Sequence, residues 1–346
     1  MKKVAVLLST YNGEKYIEEQ IKSIFNQDYD TENYNLALYI RDDGSKDSTR
    51  DIIQNLSQQH NLKLDVSGDN LGFAKSFYTL LSNAEADYYF FADQDDIWLP
   101  NKLSLFLKRF SLLESKGESK IGVFSDALIA TELGKSTKIK LLNTRQSRIF
   151  QDELTVENQL FEHYVQGASL AFNNEIAKLL LKLPFYDFPI DEAHDHFIGL
   201  VVSCVGTMSF VNKPTLLYRQ SGNNVYGARK SDNKNILDKF KVIHSRVNDV
   251  QSLLLYGELI LSITGIGRNR QLFNQLETVN SGTHKYDAIK FFLKYKKYIS
   301  YKNPIIVAIL YGILFTPNKE IHSEIIEFKG KFGLNNENNM GITTKL

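Results

Sequence analysis

Short apolar runs alternate with amphipathic stretches through the N-terminal part of the chain, and this alternation limits the fold more than any other feature. Val4–Ser9, Leu36–Ile40, Leu62–Val66 and Tyr88–Ala92 are the apolar runs. Between them, residues recur at helical spacing: Ile17, Ile21, Ile24 and Phe25, then Ile52, Ile53 and Leu56, then Phe73, Phe77, Leu80, Leu81 and Ala84. A β-α-β-α-β-α-β order in units of roughly 30 residues predicts an α/β fold with a mostly parallel central sheet flanked by helices. Ligands of such sheets bind beyond the carboxyl ends of the strands, so function is sought in the loops that follow them.

Two of those loops are acidic. The second strand runs into Arg41, Asp42, Asp43 and Gly44, and the fourth into Asp93, Asp95 and Asp96 within YYFFADQDDIWLP. Carboxylates this close repel one another and resist burial unless something positive sits among them. A divalent cation on a diphosphate meets that need. An exposed acidic loop that caps the helix before Leu103 accounts for the same residues, and this segment alone does not separate the two. Neither a P-loop nor a Gly-x-Gly-x-x-Gly motif is present.

Further along, Leu103, Phe106, Leu107, Phe110 and Leu113 mark another helix, and Ile121–Phe124 a strand ending at Ser125 and Asp126. Residues 135–152 are polar and weakly periodic and read as a mobile insertion over the site. Gln166, Gly167 and Ala168 lie in an apolar stretch, where small residues let a ligand approach the backbone. Ile176–Leu183 reads as a helix that stops at Pro184. A second acidic cluster, DFPIDEAHDH, opens an apolar helix at Phe197–Val205. The helix dipole by itself accounts for Asp195, at up to about 1 kcal/mol. Met208–Val211 and Leu216–Tyr218 read as short strands.

From about residue 231 β alternation ceases, and Ile236, Phe240, Ile243, Val247, Val250 and Leu254 trace one helical face. Lys285, Lys290, Lys294, Lys296, Lys297 and Lys302 then interleave with Phe291, Phe292, Tyr295, Tyr298 and Tyr301. The apolar run Ile305–Phe315 falls short of the roughly 20 residues a spanning helix needs. It suits an interfacial helix with basic residues facing anionic lipid; a buried helix packed on the first domain is the other reading, and the balance leans to membrane contact. The expected division is a catalytic domain over 1–227, a helical region over 228–330 that contacts membrane or a partner, and a loose tail over 331–346. A net charge of +1 implies no polyanion-binding field, hence no nucleic-acid partner. The single cysteine, Cys204, cannot form an intramolecular disulfide, and the N-terminal apolar run ends too soon for a signal sequence. The expected location is cytoplasmic, peripheral on the inner membrane face if the C-terminal helices touch lipid.

Four segments now carry a resemblance: LSTYNGE at 8–14, RDDGSKDST at 41–49, ADQDDIWLP at 92–100, and 194–206 leading into YRQSGNNVYG at 218–227. In order and spacing they resemble glycosyltransferase family 2, the inverting nucleotide-sugar transferases of the GT-A fold, and within it the rhamnosyltransferase-like branch. The resemblance implies a nucleotide-sugar-binding set of Thr10, Tyr11, Asn12, Glu14, Asp42, Asp43, Asp93, Arg219 and Asn224. Asp93 and Asp95 stand where the family holds a divalent metal, Mn2+ or Mg2+, on the sugar diphosphate. Asp96, Gln166, Gly167 and Tyr218 would support the site, and Asp195 falls at the family's general base. The implied donor is dTDP-rhamnose, with a UDP-hexose behind it. The implied acceptor is a growing cell-surface polysaccharide or lipid-linked saccharide, with oligomeric state left open. The chemistry agrees: a metal neutralises the leaving diphosphate, and one carboxylate on the opposite face removes the acceptor proton. One departure is Ser221, where the branch has histidine. It motivates the alternative of a catalytically silent, nucleotide-sugar-binding scaffold subunit.

Overall fold

The computed structural model describes residues 1–66, 69–144, 152–183 and 194–220, and further on 269–282, 284–299, 304–316 and scattered residues between 247 and 330. The alternation read from the sequence is present: β1 (Lys2–Thr10), α1 (Ile17–Phe25), β2 (Tyr34–Asp42), α2 (Thr49–Ser57), β3 (Leu62–Asp65), α3 (Phe73–Asn83) and β4 (Tyr88–Asp93) follow one another. After them come β5 (Ile97–Trp98), α4 (Lys102–Ser115), β6 (Ile121–Ala130), β7 (Ser136–Lys140), β8 (Glu153–Leu154), α5 (Val156–Phe161), β9 (Leu170–Asn173), α6 (Asn174–Leu180), α7 (His194–Val205) and β10 (Thr207–Arg219).

One sheet runs in the order β3-β2-β1-β4-β9-β6-β10-β5. The first four strands are parallel, and β6 and β10 are parallel to each other. β9 runs against both of its neighbours, β4 and β6. The register sets Thr10 beside Asp42 and Ser9 beside Asp93, so the first, second and fourth strands end at one edge.

Alternate residues of the central strands feed two cores, which is why those strands read as continuous apolar runs. Val4, Val6, Leu8, Phe90 and Ala92 pack with α1, α2 and α4. Ala5, Leu7, Tyr89 and Phe91 pack with α3, α5, α6 and α7. Residues 136–140 pair with β6 as a strand, so that part of the expected mobile insertion is a hairpin arm. The two short strands expected at 208–218 are a single strand, bent where its register shifts between Val211 and Leu217. Pro214 removes a ladder donor at that bend.

The C-terminal helices, α8 (Arg270–Ser281), α9 (Lys285–Lys294) and α10 (Pro304–Leu314), join the second of these cores. Phe161 of α5 meets the rings of Phe291, Phe292, Tyr295 and Tyr298 at 6.2–6.4 Å. α9 and α10 touch closely at Gly312, where a Cβ would lie 2.5 Å from the Ile289 Cα. Among the described residues no helix is long and apolar enough to cross a membrane.

Candidate active site

The turn after β4 is held by its neighbours rather than by itself. Gln20 of α1 donates to the Asp93 carbonyl at 2.8 Å. Arg219, at the end of β10, donates its Nε to the Asp95 carbonyl at 2.7 Å and its backbone N–H to Asp96 Oδ1 at 3.2 Å. Gln94 reaches across to β1: its Oε1 accepts from Thr10 Oγ1 (2.6 Å) and from the Tyr11 N–H (2.9 Å), while its Nε2 donates to the Tyr11 carbonyl at 3.2 Å. Sequence reasoning passed over Gln94, because one polar residue between two acids gives no periodic signal.

The carboxylates feel one another. Asp93 keeps some solvent contact, yet burial, then the charges of Asp95 and Asp195, push it up to about 7, with Lys102 pulling the other way. Asp96 is 1% exposed, and burial with its acidic neighbours holds it well above the usual carboxylate range. Its Oδ2 is buried without a hydrogen-bond partner.

Lys102, the first residue of α4, is fully buried beneath this turn. Its ammonium donates to the Ala168 carbonyl at 2.5 Å and stands 3.8 Å from the Trp98 ring centroid. Burial pulls it down to about 7, opposed by Asp96 and Asp93. Sequence reasoning missed Lys102 too, although a signal existed. It shares the buried α4 stripe with Phe106 and Phe110, where the helical period calls for an apolar residue.

Asp195 lies in the first turn of α7. Its Oδ2 accepts from the Gly167 N–H and its Oδ1 from the His196 N–H, both at 2.8 Å. Gly167 begins a 3-10 turn, Gly167–Ser169, and a Cβ there would come within 3.2 Å of His194 Nε2. His194 packs among Phe73, Phe77 and Phe91 with neither ring nitrogen hydrogen-bonded, and burial lowers its pKa against the pull of Asp195. His196 is buried as well, its Nε2 2.8 Å from the Gln159 carbonyl.

The loops after β1 and β2 are laced together. The side-chain oxygen of Asn12 accepts from the Lys46 N–H (2.9 Å) and that of Glu14 from the Ser48 N–H (2.9 Å). Asp42 is buried and pairs with Arg50. Asp43 pairs with buried Arg41 and accepts the N–H groups of Leu71 (2.8 Å) and Gly72 (2.9 Å). Gly72 has a φ of 77°, a left-handed geometry that suits glycine. Tyr11 is left exposed at this edge.

Arg219 is 2% exposed, and beyond its bonds to the acidic turn it reaches the Glu132 carbonyl (2.6 Å) and Glu19 (2.6 Å). Its guanidinium also lies 4.6 Å from the Tyr16 ring centroid. These bonds brace the turn. Tyr218 and the side chain of Gln166 are half-buried nearby, and the Gln166 carbonyl accepts from Ser169 N (2.9 Å). Asn224 and Ser221 lie outside the described residues, as does most of the acidic cluster before His194.

The structure therefore brings Asp93 within electrostatic reach of Asp95, Asp96 and Asp195, sets Lys102 against Asp93 and Asp96, and ties Thr10 and Tyr11 to the same turn through Gln94. Asn12 and Glu14 spend their side chains on loop-to-loop contacts, and Asp42 spends its own on Ser45 and on Arg50 of α2. Among the described residues no three acids, histidines or cysteines close on a metal by themselves. A hard cation held by one or two carboxylates, with phosphate oxygens and water completing the shell, needs no such cage. The carboxylate-only donor set and the mutual repulsion at Asp93 fit such an ion.

Three comparisons bear on this geometry. Residues 5–116 match the family described as Glycosyl transferase family 2. The dTDP-rhamnosyl transferase RfbG of Shigella flexneri is 29% identical over 239 residues, covering 65% of this chain and 75% of that protein. An uncharacterized glycosyltransferase of Haemophilus influenzae is 25% identical over 268 residues, 73% of this chain and 80% of its own. Among solved structures, residues 1–349 of Staphylococcus aureus TarS in complex with UDP-GlcNAc superpose with a TM-score of 0.51 at 15% identity, covering 96% of this chain and 92% of that one. That likeness is one of fold.

Proposed function

We propose, for a chain that is a glycosyltransferase of family 2 and GT-A fold, that it moves a sugar from a nucleoside diphosphate sugar to a hydroxyl of a growing cell-surface or lipid-linked saccharide, with inversion. The observation that carries this reading is the pairing of an acidic turn with one separate carboxylate. Asp93 feels both Asp95, its neighbour in the turn, and Asp195, which comes from a different helix.

In this reading Asp93 and Asp95 hold the divalent cation with the diphosphate, and the cation, when bound, neutralises charge on the leaving group. Thr10, Tyr11 and Asp43 form the floor under the base, with Gln94 fixing the Thr10–Tyr11 backbone. Asp195 takes the acceptor proton. The Gly167 and His196 N–H groups use one lone pair on each of its oxygens and orient the rest toward the incoming hydroxyl. Arg219 and Asp96 act from behind by keeping the turn in shape. One acidic turn for the metal and one separate carboxylate for the proton support a single in-line displacement. The name of the Shigella relative favours dTDP-rhamnose as donor, and the TarS complex keeps a UDP-sugar as the second choice.

The C-terminal helices suit an acceptor presented at a membrane. Ile305, Ile306, Ile309 and Ile313 of α10 are exposed and share one helical face. Lys290 and Lys294 of α9, and Lys296 and Lys297 just beyond it, are exposed on the helix packed against it. An exposed apolar stripe on one helix, with exposed lysines on and just beyond the helix packed against it, fits the headgroup region of an anionic bilayer.

The test of the reaction is Asp195→Asn, assayed for sugar transfer with the anomeric configuration of the product read by NMR. Loss of a general base costs roughly 10²–10⁴-fold in turnover. The expected result is a fall in that range with donor binding kept, and an inverted product from the unaltered protein. Turnover unchanged by the substitution, or a retained configuration, would sink the assignment.

A further inference from the structure

We infer that Lys102 is a positioning residue for the base: through the 167–169 turn, its buried ammonium sets where the Asp195 carboxylate points. This rests on the reading of Asp195 given above.

The connection is short and continuous. The Lys102 ammonium donates to the Ala168 carbonyl at 2.5 Å, and one residue earlier in the same turn the Gly167 N–H donates to Asp195 Oδ2 at 2.8 Å. The turn has little freedom on its far side, because a Cβ at Gly167 would lie 3.2 Å from His194 Nε2 and 3.8 Å from the Asp195 Cβ. It is therefore gripped between α4 and the start of α7, and the α4 grip is Lys102. Backbone bonds of the turn itself, such as Ser169 N to the Gln166 carbonyl at 2.9 Å, make it move as a unit.

Packing alone does not ask for a lysine here. The side chain is fully buried on a stripe otherwise filled by Leu103, Phe106, Leu107 and Phe110. Burying an ammonium is unfavourable unless charge and hydrogen bonds offset it, so an apolar residue of similar length would fill the space more readily. What the ammonium adds is a directed donor to Ala168 and a positive charge under Asp93 and Asp96. It also sits against Trp98, the only tryptophan of the chain, which reports on the site by its fluorescence.

The experiment is a double-mutant cycle on the full chain with Lys102→Met, Asp195→Asn and the combined variant. Single-turnover sugar transfer is measured with whichever of dTDP-rhamnose, UDP-glucose and UDP-GlcNAc the unaltered protein uses. Binding of dTDP and UDP with Mn2+ is followed by Trp98 emission. A carboxylate misplaced by roughly 1 Å loses turnover on the order of 10²-fold. The expected result is that loss in Lys102→Met, with nucleotide Kd within about threefold of the unaltered protein. In the Asp195→Asn background the same substitution should change turnover by less than about threefold, because residues acting as a unit are not additive. Full additivity, unchanged turnover in Lys102→Met, or loss of nucleotide binding in parallel with turnover would overturn the inference. If Lys102→Met fails to fold, Gly167→Ala displaces the same turn from its other side. It should then show the same pattern, and an additive effect there overturns the inference equally. Asp195→Asn alone with normal turnover refutes the base assignment instead, so the two failures are distinct.

Discussion

Asp43 is 4% exposed, and both of its oxygens are occupied, by Arg41 and by the Leu71 and Gly72 N–H groups. Burial alone would raise its pKa. The Leu71 N–H, Arg41, Ser76 and the Gly72 N–H outweigh that and hold it below the ordinary carboxylate value. A depressed folded pKa means that its stabilisation is complete above the unfolded value of about 4 and is lost as pH falls through the folded one. Asp43→Asn should therefore cost about 1.5–3 kcal/mol at pH 7, the worth of a hydrogen bond to a charged group, since Arg41 keeps Asp65 at 4.0 Å from its Nε. Urea unfolding measured at pH 7 and again near pH 3 checks this: the gap between the two proteins should narrow in acid. Equal stability at pH 7 would show that Asp65 alone compensates the Arg41 charge. The same scale shows why part of the site escaped the sequence. The acids of the fourth loop stand out as a cluster. Gln94 and Lys102 matter through partners 83–84 and 66 residues away in the chain, and a local pattern holds no trace of those.

Among the elements, those that build the floor of the site were legible because each carries its own period. β1, β2 and β4 are unbroken apolar runs, and α1, α2 and α3 repeat at helical spacing. β9 was not, because three apolar residues and an asparagine do not reveal that Leu170–Asn173 enters reversed between β4 and β6. β7 was missed for the opposite reason: Ser136–Ile139 are exposed and carry no apolar alternation. α10 shows how much a pattern leaves open. Its composition suits a buried helix or an interfacial one, and the fold buries Val307, Ala308 and Tyr311 while leaving Ile305, Ile306, Ile309 and Ile313 in solvent. On the interfacial reading, the full chain should co-sediment with vesicles containing phosphatidylglycerol and much less with neutral ones. Ile309→Glu with Ile313→Glu should abolish binding without changing the unfolding midpoint. Binding indifferent to lipid charge and to these substitutions would remove the membrane from the account, and a dimer that dissociates in the double variant would assign the stripe to a second copy.

For the molecule as a whole, strand polarity places the site. The β1, β2 and β4 ends share one edge, α7 brings Asp195 to it, and β10 returns at Arg219 to brace the acidic turn from behind. The C-terminal helices extend the core on the α7 side of the sheet, so the helix that carries the proposed base is backed by the region proposed to meet a membrane. The central claim is that this edge holds a nucleoside diphosphate sugar through a cation on Asp93 and Asp95. Its most direct measurement is release of nucleoside diphosphate from a panel of nucleotide sugars, with and without Mn2+ or Mg2+, in the unaltered protein and in Asp95→Asn. The account predicts release from one donor, dTDP-rhamnose first, abolished by EDTA, restored by the metal, and reduced at least about 10²-fold in the variant. Release that persists in EDTA and is untouched by Asp95→Asn would contradict it.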